Sequence, residues 1–430
     1  MSTLLSHFLA STGVCTDTRK PLPGSMFFAL SGPNFNANAF AAQALKNGCI
    51  GAVVDDPAVA TDDRFLLVPD VLIALQELSR EYRRTFDIPV IAITGTNGKT
   101  TTKELTHAVL SADRSTLATE GNLNNHIGVP LTLLKLKQEH RIAIIEMGAN
   151  KLRDIEELCA IAEPTHGLIT NIGKAHLEGF GSVEGVIRTK TEMYAWLRGI
   201  KGTCFVNADD ALLMEKSAGL TRITYGTTSA SDVQGGAEAG EGPCMHLRFF
   251  DAAKTAEHHV ALQLIGDYNA PNALVAVCIG RHLGVSDAVI TKALSDYRPA
   301  NSRSQWMDTG RNELVLDAYN ANPTSMAAAL ENFDHLRTDR KKLAILGDMR
   351  ELGETSMAEH AAIINLVQEL ELDALFVGKE FMQAAQEIPV RRFTDVAAAL
   401  DTLKADPPKG RMILVKGSRG VKLEEVVRVL

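Results

Sequence analysis

The sequence predicts an α/β protein of three consecutive domains, the middle one a mostly parallel sheet with a small antiparallel addition. Three observations carry this. The chain has 430 residues, a length that suggests about three domains. Short apolar runs alternate with segments of helical periodicity along most of it, the pattern of strands joined by crossover helices. The helical signal fades only between Asp232 and Gly266, where "MHLRFF" and "HHVALQLIG" read as antiparallel strands.

The first domain is expected over residues 1–87. "GSMFFAL", "IGAVVDD" and "RFLLVPD" read as strands, "AFAAQALKNG" as a helix closed by a C-cap glycine. "VLIALQELSREYRRTF" has apolar residues at helical spacing, and "DIPV" reads as a linker. In the second domain, residues 88–298, strands are predicted at "VIAIT", "RIAIIEM", "HGLITNI" and "GTCFVNA", with helices over 99–111, 151–162, 182–198 and 209–218. A Gly-rich loop, "QGGAEAGEGP", precedes the antiparallel pair, and two helices follow, ending near Tyr297. The polar stretch "RPANSRSQWMDTGRN" holds the next boundary. Over residues 299–430 the alternation resumes from "ELVLDAY" through "KKLAILGDM" and "DALFVGK" to "RMILVKG", a Rossmann-like arrangement.

Composition narrows the class. Hydrophobic content of 45% and charged content of 22% are those of an ordinary globular protein. A net charge of -8 argues against a general nucleic-acid binder. Six cysteines (Cys15, Cys49, Cys159, Cys204, Cys244, Cys278) show no CxxC spacing and read as reduced thiols. With no signal-like N-terminus and no apolar run of about 18 residues, a cytoplasmic protein without a membrane span is expected.

The sharpest local signal is "VIAITGTNGKTTTKE", residues 90–104. A strand that stops at a Gly-rich turn before a helix converges backbone N–H groups on an anion, and the helix N-terminus adds partial positive charge. Lys99 would reach the outer phosphates and the Thr100 hydroxyl would hold Mg2+. The common spacing is GxxxxGK[ST]; here the position five before Gly98 is Ile93, so the loop is a compact Gly95 to Thr100. Glu146 ends the strand "RIAIIE", at the sheet edge that faces a ligand crevice. A carboxylate there can hold Mg2+ or simply be solvated, and spacing leaves both readings open. His176, in a short loop after the next strand, reads as a surface residue when taken alone. Lys190 reads as a solvated helix lysine, Asn269 as a helix cap, Asn124 and Asn125 as turn formers.

"GTNGKTTTKE" resembles the Mur ligases, the ATP-dependent amide-forming enzymes of peptidoglycan precursor synthesis. "GNLNNHIGVPLTLL", "EMGAN", "NIGKAHLEGFGS", "DAYNANPTSM", "LGDMRELGE" and "VKGSRGVKLEEVV" occur in family order across all three domains. They are similar to the branch that adds D-alanyl-D-alanine to UDP-N-acetylmuramoyl-tripeptide. The resemblance implies ATP contacts at Gly95, Thr96, Asn97, Gly98, Lys99, Thr100, Thr101, Asn269, Asn272, Arg303 and Asp317. It implies Mg2+ ligation by Thr100, Glu146 and His176, with Lys190 carbamylated by CO2 to assist. Catalysis would rest on Lys99, Glu146, His176 and Lys190. Substrate contacts would come from Thr18, Arg19, Ser31, Asn34, Asn124, Asn125, Asn320, Asn322, Lys416, Ser418 and Arg419. The family pattern has Asp-Gly-His where this chain has "NAN", Asn36 to Asn38. Family habit implies a monomer whose domains close about a hinge near residues 298–304, excluding water from an acyl phosphate. The rivals are a relative adding a different amino acid, a folylpolyglutamate synthase-like ligase, and a kinase or ATPase with the same phosphate loop.

Overall fold

In the strand Val90–Thr94 side chains alternate between two cores, as the period of two requires. Ile91 and Ile93 join one cluster with Leu105, Val109 and Leu274. Val90 and Ala92 join another with Ile155, Met193 and Leu197. A strand buried on both faces belongs inside a parallel sheet covered by helices. The computed structural model, which describes residues 2–20, 22–174, 177–299, 303–386 and 388–430, has that arrangement.

The chain forms three main sheets in succession, the predicted three-part α/β architecture. The first is four-stranded and parallel: Val14–Cys15, Met26–Phe28, Gly51–Val54 and Phe65–Leu67. The second has nine strands. Its parallel part runs from Thr116–Ala118 through Ile142–Glu146, Val90–Thr94, His166–Ile169, Thr203–Asn207 and Thr221–Gly226 to Val233–Glu238. Cys244–Phe250 and Glu257–Ile265 then extend it antiparallel. The third has six strands, parallel but for the edge strand Gln305–Asp308. In the central sheet Val90–Thr94 lies between Ile142–Glu146 and His166–Ile169, where the strand order reverses. Such a switch point opens a crevice beyond the carboxyl ends of the strands. No helix among the described residues is long and apolar enough to cross a membrane.

Two sequence expectations are corrected. The first half of "QGGAEAGEGP" is the strand Val233–Glu238, not a loop. Its glycines serve packing: a Cβ on Gly235 would lie 2.5 Å from the Arg248 carbonyl oxygen and 2.7 Å from Leu274 Cδ1. The polar boundary stretch contains the strand Gln305–Asp308, whose alternating exposure marks an edge. Residues 300–302, inside the expected hinge, lie outside the described residues.

The first sheet unit is joined to the second through apolar contact. Leu5, Phe8, Leu75 and Leu78 pack with Leu134, Ile127 and Leu131. The buried Arg83 donates to the carbonyls of Phe86 (2.9 Å) and Ala162 (3.2 Å), and Tyr82 Oη to that of Leu136 (2.8 Å). The second and third units meet through one apolar anchor, Ile265, buried among Val315, Met326 and Leu330, and through polar groups. Lys174 pairs with Glu359 at 3.0 Å, Asp267 N–H donates to Asn332 Oδ1 at 3.3 Å, and Asn322 Nδ2 donates to Asn97 Oδ1 at 2.8 Å.

Candidate active site

The phosphate loop lies at the switch point, and its shape is imposed by its neighbours. Gly95 has φ +144°, and a Cβ there would sit 1.9 Å from Thr170 Oγ1. Thr170 and the residues after it bracket the loop. Thr96 N–H donates to Asn171 O (3.0 Å), Asn97 N–H to Asn171 Oδ1 (3.0 Å), and Thr170 Oγ1 to Asn97 O (2.6 Å). Gly98 N-caps the helix Lys99–Ser111 without a side-chain cap, so the leading N–H groups are left for an anion.

Lys99 is half-buried and bends back, donating to Gly95 O (2.7 Å) and Thr96 O (2.9 Å). Burial, with the Arg303 charge adding to it, pulls its pKa down to about 8, against the attraction of Glu146. Glu146, buried at the strand end, is gripped at both oxygens: Thr100 Oγ1 donates to Oε2 and Asn124 Nδ2 to Oε1, each at 2.8 Å. Among the described residues no group of three or more His, Cys, Asp or Glu could hold a metal. Mg2+ in phosphoryl-transfer sites takes one or two carboxylates, waters and substrate phosphates. Glu146 and the Thr100 hydroxyl, both hard oxygen donors beside a phosphate loop, fit that chemistry. His176 lies outside the described residues.

Lys190 is buried, not solvated. Its Nζ lies 3.5 Å from Thr94 Oγ1 and 5.9 Å from the Phe180 ring centroid. Burial first, and then the nearby Lys99 charge, push its pKa well below the ordinary lysine value. It stands behind the phosphate loop rather than in the lining of the main cavity.

That cavity, about 600 Å³, is lined by Thr96 to Thr101, Asn124, Asn125, Glu146 and Asn269 on one side. Arg303, Asp317, Asn320, Asn322 and Lys416 line it from the C-terminal unit. Arg303 stacks on Tyr319 at 3.8 Å, and its Nε is buried with no hydrogen-bond partner among the described residues. Asp317 pairs with Lys416 and accepts from Ser304 N–H (3.4 Å).

Several polar residues have duties the sequence did not reveal. Asn269 occupies the helix N-cap position, but its side chain does not cap. Its Nδ2 donates to Ile265 O (2.8 Å) and Ser304 Oγ (3.2 Å), tying the central sheet to the chain entering the third. Asn272 is buried behind the loop, between Asn269 Oδ1 and Thr102 Oγ1 at 3.0 Å each. Asn125 Oδ1 accepts from Ile127 N–H (3.1 Å) and Gly128 N–H (2.9 Å), a turn former as its residue type suggests. Asn320 Oδ1 accepts from Ala321 N–H at 2.9 Å. Ser418 Oγ accepts from Arg350 N–H (3.0 Å) and donates to Ala321 O (3.3 Å), outside the cavity lining. Arg419 lies 5.4 Å over Tyr319.

Thr18, Arg19, Ser31 and Asn34 lie on the first sheet unit, also outside the lining. Arg19 pairs with Asp17 at 2.8 Å, and Ser31 Oγ donates to Asn36 Oδ1 at 3.1 Å. Asn38 donates to Asp55 (2.6 Å) and Asn36 (3.0 Å), so the departure from the family pattern forms a self-satisfied network. Sequence reasoning missed Tyr268, Tyr319, His126, Lys151, Asp154 and Glu157, all lining the cavity. For Tyr319 a signal existed: an aromatic residue in "DAYNANP" on the same boundary as an isolated arginine.

Residues 93–280 match the Mur ligase middle domain and residues 302–419 the Mur ligase, glutamate ligase domain. The chain is 34% identical over 434 residues to the UDP-N-acetylmuramoyl-tripeptide–D-alanyl-D-alanine ligase of Bacillus subtilis, covering 97% of this chain and 93% of that one. It superposes on MurF from Acinetobacter baumannii with TM-score 0.87 and 33% identity, over 100% and 98% of the two chains. MurF ligase from Thermotoga maritima in complex with ADP gives TM-score 0.87 at 26% identity, with the same coverage.

Proposed function

The chain belongs to the Mur ligase family, and from that premise we propose that it joins D-alanyl-D-alanine to UDP-N-acetylmuramoyl-tripeptide using ATP. The observation that carries this reading is the cluster of Lys99, Thr100 and Glu146 at the phosphate loop, in a cavity whose opposite wall brings Arg303 and Lys416. Phosphoryl transfer asks a protein mainly for positioning and charge neutralisation.

Lys99 turns from its own loop carbonyls onto the outer phosphates of ATP, and Arg303, held flat by Tyr319, offers a second cation with a free N–H. The terminal carboxylate of the tripeptide attacks the γ-phosphorus, the bond to the β-phosphate oxygen breaks, and ADP leaves. The amine of D-alanyl-D-alanine attacks the acyl phosphate, the tetrahedral intermediate loses phosphate and a proton, and an amide remains. Mg2+, when bound, supplies charge neutralisation between the phosphate oxygens, and Glu146 and Thr100 would hold it, with His176 as a further ligand. Residues 1–87 take the uridine diphosphate end through Thr18, Arg19, Ser31 and Asn34; residues 88–298 hold ATP, with Asn269 toward the base and Asn272, in place of the base contact the resemblance implied, bracing the loop from behind. Residues 299–430 close over the nucleotide and orient the dipeptide through Asn320, Lys416 and Arg419, while Ser418, in place of the contact the resemblance implied, ties the Arg350 and Ala321 backbone together. The enzyme acts as a monomer in the cytoplasm. Phosphate release from ATP should require both UDP-N-acetylmuramoyl-tripeptide and D-alanyl-D-alanine. Release with neither acceptor would favour the ATPase reading, and release with a different amino acid would favour another ligase of the family.

Lys190 is carbamylated in this reading. Burial lowers the Lys190 pKa, a shift toward the free amine, the form that attacks CO2. A C–N bond forms, one proton leaves, and an uncharged amine becomes an anionic carbamate. Native mass spectrometry should show the mass of one CO2, lost on acidification. Full activity in Lys190→Ala would remove the carbamate from the mechanism.

A further inference from the structure

We infer that Asn322 is a positioning residue that couples docking of the C-terminal unit to the phosphate loop, through the hydrogen bond from its amide to the Asn97 side chain. The inference rests on the ligase reading only for what the loop holds. The bond itself is geometry.

Asn322 heads the helix Pro323–His335 and is buried. Its Oδ1 accepts from Ser325 N–H at 2.9 Å, and its own N–H donates to Ser325 Oγ at 3.1 Å. Serine, threonine or aspartate would cap such a helix as well. What they lack is an amide nitrogen on the far side of the cap. Here that nitrogen donates 2.8 Å to Asn97 Oδ1, 225 residues away in sequence. The backbone of Asn97 is occupied by Asn171 and Thr170, so Asn322 holds the side chain that the bracketing residues leave loose. The same helix start also rests on the loop's support: a Cβ on Gly173 would lie 3.2 Å from Thr324 Oγ1 and 3.7 Å from Thr96 Cγ2.

One residue therefore does two separable things. Its carbonyl completes a helix in the third unit. Its amide fixes a phosphate-loop side chain in the second, and does so only while the two units are together. The loop is completed by closure rather than before it, and nucleotide binding in turn favours the docked arrangement. On this account Asn322 serves the nucleotide, in place of the dipeptide contact that family resemblance implied.

Asn322→Ser separates the two roles, with Asn322→Thr measured alongside in case the serine chain folds poorly. Both keep a capping hydroxyl, so melting temperature should stay at the wild-type value. Affinity for a non-hydrolysable ATP analogue should fall about two- to tenfold, the range of one net hydrogen bond. KM for D-alanyl-D-alanine should be unmoved, and adding Asn97→Ala should cause no further loss of analogue affinity. Unchanged analogue affinity, a change confined to the dipeptide KM, a lowered melting temperature alone, or additive effects with Asn97→Ala would each overturn the inference. A wild-type protein that binds the analogue but turns over ATP without acceptors would count against the ligase reading instead.

Discussion

Lys99→Met should lower ATP-dependent ligation by about 10²–10³-fold and remove the rise in stability of the nucleotide-free protein between about pH 8 and 10. The loss of activity follows from removing a cation aimed at developing phosphate charge in a water-poor site, where one preorganised donor is worth about 10²–10³ in rate. The change in pH dependence follows from the lysine's own titration. Its folded pKa is drawn from 10.5 down to about 8 by burial. Between those values the unfolded chain holds more protons than the folded one, so stability rises with pH across the window. The burial penalty is complete below pH 8 and fades toward 10.5. Methionine keeps the length and removes the charge. The wild-type melting temperature should therefore climb between about pH 8 and 10 relative to that of the methionine variant, whichever of the two is the more stable at pH 7. Calorimetry across pH 7–10 and phosphate-release assays check both halves. Turnover within tenfold of wild type would remove Lys99 from the phosphate site.

Glu146→Gln should reduce turnover by about 10²–10³-fold and raise the Mg2+ concentration needed for half-maximal rate. The carboxylate accepts from Thr100 on one oxygen and from Asn124 on the other. Glutamine can still accept from Asn124 with its oxygen, while its N–H2 faces the Thr100 hydroxyl, which can turn to accept. Both side-chain contacts can then persist without the charge, so the melting temperature should stay near the wild-type value while the rate and the Mg2+ requirement change. The metal reading depends on the Mg2+ titration. A slower enzyme with an unshifted Mg2+ requirement would leave Glu146 as a structural anchor for Thr100 and Asn124 only.

What could be read from the sequence was what is contiguous. The strand, turn and helix of residues 90–111 occur in one uninterrupted stretch, and the helix Lys99–Ser111 has the expected bounds. Partners distant in sequence could not be read, as with Asn97 and Asn322, because nothing local to either signals the other. Lys190 is an intermediate case. Its helix buries Val186, Thr189, Met193, Tyr194 and Leu197 on one face, and Lys190 falls within that stripe. The spacing i, i+3, i+4 and i+7 thus contained the signal that this lysine is not solvated. The strand Val233–Glu238 was hidden for the opposite reason: its glycines read as a turn, where close approach of a neighbouring strand and helix is what they permit.

The apolar seam between the first and second units has a further consequence. Leu5, Phe8, Leu75 and Leu78 against Leu134 are close-packed core contacts, whereas the junction with the third unit sets one apolar anchor, Ile265, among polar contacts. Through that seam the first two units form one continuous frame. In the ligase reading, that frame sets a constant span between the place where the sugar nucleotide is anchored and the place where the γ-phosphate waits. It is a ruler. A peptide one residue short or one residue long would be anchored as well as the true substrate, yet present its carboxylate at the wrong mark.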